Sequence, residues 1–158
     1  MQKKNKNIDA VVIRQPEKLL DYIDFFTNIR EDDYIWYADD HCFSYSPKFK
    51  SFIQQLYDSN MVESHDHLID SITENGDDEH ERCEAFSNWM REMNRVLSRP
   101  CELREANISF LRKAFFTLIR MEKIFPGSWS VDVESGTWLK LLKQFKKLYE
   151  AGEVKTEA

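Results

Sequence analysis

The chain has 158 residues, with 22 Lys and Arg against 28 Asp and Glu, a formal charge of −6, and a hydrophobic share of 42%. That length fits one domain, and the hydrophobic share fits a folded core rather than a disordered chain. Four glycines and four prolines are too few for the turns of an all-β fold, and no apolar run approaches the roughly 18 residues of a membrane helix.

Residues 1–9 are basic, lack the apolar core of a secretory signal, and read as a flexible tail. A short apolar run, Ala10 to Ile13, suits a strand or a packed lead-in segment. Pro16 fits a first helical turn, where its missing N–H is not needed. Leu19, Leu20, Ile23, Phe26 and Ile29 then recur at helical spacing. Tyr34 to Tyr37 is aromatic and β-prone. Ser46-Pro47 predicts a capped helix carrying Phe49, Phe52, Ile53, Leu56 and Tyr57 on one face. A shorter helix is expected from Ser64, with Leu68, Ile69 and Ile72. Asn75 to Asp78 reads as an exposed loop.

The next helix has Phe86, Trp89, Met90, Met93, Val96 and Leu97 on one face and ends before Pro100. Asn107 is a natural cap for a helix over 108–123, whose face holds Ile108, Leu111, Ala114, Phe115, Leu118 and Ile119. Pro126-Gly127 breaks the chain. A last helix from near Ser135–Thr137 to about Tyr149 sets Trp138, Leu141, Leu142, Phe145, Leu148 and Tyr149 against a lysine face. Short strands are expected at most near Val11, Ile35 and Val131. The prediction is therefore an all-α, mainly helical bundle of about five or six helices. It forms a single domain over 10–150, with a second flexible tail at 151–158.

Charge is unevenly spread. Residues 61–85 hold nine acids and one base, Arg82, whereas residues 137–149 hold four lysines and no acid. The odd cysteine count, Cys42, Cys83 and Cys101, argues against a disulfide scaffold and makes a reducing cytoplasm the expected setting. His41-Cys42, His65-Asp66-His67 and the His80–Cys83 pair do not make a paired zinc spacing. No metal and no other cofactor is expected. The glycines are isolated, so no phosphate loop is present, and no nucleophile elbow surrounds a serine.

Glu122 falls between Phe115 and Leu118 in helical angle, in the middle of an apolar face and near a helix C-terminus. A carboxylate there needs a partner. The following loop offers backbone N–H groups, the Ser128 hydroxyl and the Trp129 indole. The structural reading has Glu122 fix that loop; the functional reading makes it part of a pocket with Trp129, Asp132 and Glu134. Arg120, on the other side of the helix, is expected to pair with a surface acid, with an anionic ligand as the alternative.

Ala106-Asn107-Ile108, Leu111-Arg112-Lys113, Thr117, Arg120-Met121-Glu122-Lys123, Gly127, Glu134-Ser135-Gly136 and Leu141 to Phe145 together resemble a domain-of-unknown-function family of bacterial helical proteins, family 6508. Tyr45-Ser46-Pro47 through Tyr57 extends the resemblance upstream, to a span of about 34–149. Lys123 and Ile124 depart from the family's arginine and phenylalanine, and 77–82 is longer and more acidic. The resemblance implies a helical fold and marks Arg120, Glu122, Gly127, Glu134 and Gly136 as signature positions. It brings no activity, substrate or cofactor.

The leading functional reading is a non-enzymatic protein-binding or regulatory module, using a charged face or an aromatic patch around Tyr34, Trp36 and Tyr37. The binding candidates are Arg120, Glu122, Gly127, Trp129, Asp132, Glu134 and Gly136. The alternative is a small hydrolase or transferase with Glu122, Asp132 and Glu134 as acid and base groups. A weaker alternative places the lysine face of the last helix on nucleic acid, which the net acidity disfavours. Neither partner identity nor oligomeric state is legible in the chain.

Overall fold

A computed structural model describes residues 11–38, 43–63, 72–73 and 78–157. The expected N-terminal tail, most of the helix expected from Ser64, and Cys42, His41, His65 and His67 lie outside the described residues.

The described chain is mainly helical. Helices α1 (Pro16–Leu20), α2 (Tyr22–Thr27) and α3 (Glu31–Tyr34) lead into strand β1 (Ile35–Ala38), which pairs antiparallel with β2 (Phe43–Tyr45). Then follow α4 (Pro47–Asp58), α5 (Glu79–Ser98), α6 (Pro100–Leu103), α7 (Ile108–Ile124), α8 (Ser128–Glu134) and α9 (Thr137–Glu150). Nine helices among the described residues exceed the five or six expected. The surplus comes from short elements: α1 and α2 divide at Asp21 what reads as one helix, and α6 restarts the chain at Pro100. Elements of one or two turns do not display a full apolar period.

The long helices begin where their caps dictate. Ser46 Oγ accepts from Phe49 N–H at 3.2 Å, Asp78 Oδ1 from Glu81 N–H at 2.7 Å, and Asn107 Oδ1 from Phe110 N–H at 2.9 Å. Each satisfies a first-turn donor that has no partner within its helix.

Helix α9 is central, packing against α1, α2, α7 and α8. Its Trp138 is fully buried, edge-on to Phe49 and Phe52 with centroids 5.9 and 5.5 Å away. Phe26, Phe49 and Phe52 continue this aromatic layer, and edge-to-face pairs of this kind add to the burial of their apolar area.

Arg112 is wholly buried on α7. It donates to the Met61 carbonyl at 3.2 Å and to Glu63 Oε1 at 3.0 Å, which ties the segment after α4 to the core. A cation in such a place requires this pairing.

Residues 151–157 do not form the free tail expected from the sequence. Ile13 N–H donates to Lys155 O at 2.8 Å, Ile13 and Thr156 form a parallel bridge, and Val154 is buried. The segment covers Ile13, itself completely buried. Val131, where at most a short strand is expected, is helical within α8. The alternation of Val131-Asp132-Val133 suggests a strand, yet the capped helix described next prevails.

Candidate functional site

Phe125-Pro126-Gly127-Ser128 forms a tight turn between α7 and α8, closed by Ser128 N–H donating to Phe125 O at 3.0 Å. Proline precedes Gly127, whose φ of 97° and ψ of −5° are those of the third residue of a type II turn. Only glycine takes that conformation without strain.

The turn brings the start of α8 back over Glu122. Glu122 Oε2 accepts from Gly127 N–H at 2.6 Å, and Oε1 accepts from Trp129 N–H at 3.0 Å. The Tyr45 hydroxyl donates to Oε1 at 2.5 Å. The carboxylate that stands badly at the end of α7 is therefore the N-terminal cap of α8, where helix-dipole charge favours it. Both oxygens are occupied by donors. Burial, then the hydrogen bond to Glu122 and its charge, push the Tyr45 phenol upward, which keeps it the donor of this pair.

Trp129 is held by the same arrangement. Its indole N–H donates to Leu118 O at 3.0 Å, and its carbonyl accepts from the Trp138 indole at 3.1 Å. Its ring lies 5.1 Å from that of Tyr45 and 5.7 Å from that of Phe49. As expected, Glu122 takes backbone N–H donors of this loop and so holds Trp129, but the Trp129 indole goes to Leu118 O and the Ser128 hydroxyl does not bond the carboxylate.

Asp132 is partly buried one turn further along α8. Burial first, then the nearby Glu122 charge, push its carboxyl from 3.8 up to about 6. Glu134 accepts a long hydrogen bond from Tyr34 OH at 3.5 Å. Gly136, with φ of 76°, ends α8 and starts α9; its N–H donates to Val133 O at 3.0 Å.

Arg120 stands apart. It is exposed, and among the described residues it forms no ion pair, contrary to the surface pair expected for it. It lines a cleft of about 680 Å³ with Arg82, Cys83, Phe86 and Ile124. The candidate residues thus split: Glu122, Gly127, Trp129 and Asp132 meet at one corner, Glu134 and Gly136 serve the far end of α8, and Arg120 faces a different space.

Ile124, Phe125 and Val131 are 54%, 60% and 60% exposed, an unusual concentration of large apolar side chains on one short stretch. Helical spacing does not reveal this exposure, because it depends on where the turn points. The aromatic patch expected at Tyr34 is corrected in part: Tyr34 is buried. The side chains of Trp36 and Tyr37 lie outside the described residues. His80 and Cys83 are both exposed, and no group of metal-ligating side chains occurs among the described residues. Cys83 and Cys101 are free thiols. No helix among the described residues is long and apolar enough to cross a membrane.

Residues 84–151 match the model of a family of unknown function (DUF6508). The match bears out the resemblance over the last three long helices; the span 34–83 lies outside it. No curated protein and no solved structure matches the chain.

Proposed function

From a chain that carries the DUF6508 pattern over residues 84–151, we propose a non-enzymatic protein-binding module whose contact surface is the corner between α7 and α8. One observation carries this reading: Ile124, Phe125 and Val131 are exposed at and on either side of a turn that Glu122, Gly127 and Trp129 hold in place. A preorganised apolar surface loses little entropy on binding. Lys123, exposed on the last turn of α7, is its neighbouring cation. The partner that fits is a protein segment with apolar side chains flanked by carboxylates.

The test is affinity purification from the protein's own source with the unaltered chain and with a Phe125→Ser, Val131→Ser double variant. Cross-linking of whatever is retained then locates the contact. The reading expects a protein held by the unaltered chain, lost with the variant, and cross-linked at 123–131 through an acidic, apolar segment. Identical retention by both chains contradicts it.

The hydrolase or transferase alternative draws its support from Asp132, whose carboxyl titrates near pH 6 beside a second carboxylate. The donors already on Glu122 weigh against that residue as a base. The nucleic-acid alternative is weakened by the lysine face itself: Lys146 pairs with Glu150 at 3.8 Å, and Lys147 donates to Arg104 O at 3.2 Å.

A further inference from the structure

Helices α5 and α7 meet through Trp89, whose indole donates to Thr117 Oγ1 at 2.8 Å. Towards the start of α5 and the end of α7 they flank, with Thr73 beside them, the open cleft of about 680 Å³. That volume is in the range of small-molecule sites, about 300–1,000 Å³.

Its walls are of two kinds. Phe86 and the Cys83 thiol, which α5 presents at helical spacing with Arg82, and Ile124 from the end of α7 give an apolar side. Arg120 supplies a guanidinium that forms no ion pair with a carboxylate of the described residues. Asp78 and Glu79 stand at the start of α5, and Asp78 is committed to capping that helix.

From this juxtaposition we infer that the cleft between α5 and α7 binds a small amphiphilic monoanion, an apolar body bearing one carboxylate, with Arg120 as its anchor. The guanidinium takes the carboxylate through paired N–H donors, and Phe86 and Ile124 cover the apolar body. Asp78 and Glu79 offset the charges of Arg82 and Arg120, so the lining carries no net positive charge to hold polyphosphates or dicarboxylates. Nothing here depends on a protein partner, and the site needs only the purified chain.

Titration of the isotope-labelled full chain with phenylacetate, followed by amide NMR, tests the inference. Phenylacetamide, inorganic phosphate and succinate serve as comparison probes. Saturable shifts confined to 82–87 and 120–124 are expected with phenylacetate, with binding at least about tenfold weaker for the neutral amide and the other anions. Arg120→Gln, a change on an exposed side chain, is expected to weaken phenylacetate by about tenfold or more, while Lys143→Gln on α9 leaves it unaltered. Equal binding of acid and amide, shifts elsewhere, an unaffected Arg120→Gln variant, or no saturable shift with phenylacetate overturns the inference. Loss of the α7–α8 protein contact in the purification experiment leaves these readouts untouched, so the two readings fail separately.

Discussion

Glu122 shows how a residue that is unfavourable for one element can complete the next. Its carboxylate accepts two backbone N–H groups and a phenol, so removing it strands donors at the start of α8. Glu122→Ala is expected to cost about 1–3 kcal/mol in denaturant unfolding, and Glu122→Gln less, because an amide retains one acceptor. Asp132 gives a pH signature. Its folded carboxyl titrates at about 6 against an ordinary 3.8, so the folded state binds the proton more tightly. The resulting stabilisation is complete below about pH 4 and is lost as pH rises through 6. Asp132→Asn is therefore expected to melt higher than the unaltered chain at pH 8, with the gap closing by pH 4. A constant gap across that range contradicts the assignment. Glu122 was legible in the sequence because a carboxylate within an apolar helical face demands a partner. Arg112 offered the same signal, lying between Ile108 and Phe115 at helical spacing. Its partners, Met61 and Glu63, come from a distant segment that periodicity does not locate.

Among the elements, α8 depends on what precedes and follows it. Its start needs the type II turn at Gly127 and its end needs the left-handed residue Gly136. A Cβ at Gly136 meets nothing within 4 Å, so the penalty for replacing it lies in the backbone alone. Gly136→Ala is expected to cost about 1–2 kcal/mol, and Gly136→Asn less, since asparagine tolerates this conformation better. Thermal or denaturant unfolding of both variants decides the order. The same dependence explains why Val131 misleads. Its local pattern suits a strand, but the cap, the turn and the burial of Val133 fix a helix. Helices α4, α5, α7 and α9 were legible because each repeats its apolar face over several turns and most carry a side-chain cap.

Across the whole molecule, both ends of the described chain close over the same core. Residues 153–157 run beside 12–14, and Val154 and Ile13 are buried together. A single valine in a polar stretch gives no periodicity, which is why this contact escapes a reading of the sequence. Val154→Asp is expected to lower stability by about 2 kcal/mol or more through loss of apolar burial, read from the unfolding midpoint. The proposed contact surface at the α7–α8 corner is a preorganised one, held by Glu122 and bearing Phe125 and Val131. Amide hydrogen exchange at Gly127 and Trp129 measures this directly. Both amides are expected to be strongly protected in the unaltered chain and to lose that protection selectively in Glu122→Ala, while α9 amides keep theirs. Rapid exchange at both positions in the unaltered chain, or unchanged protection in the variant, would contradict the account.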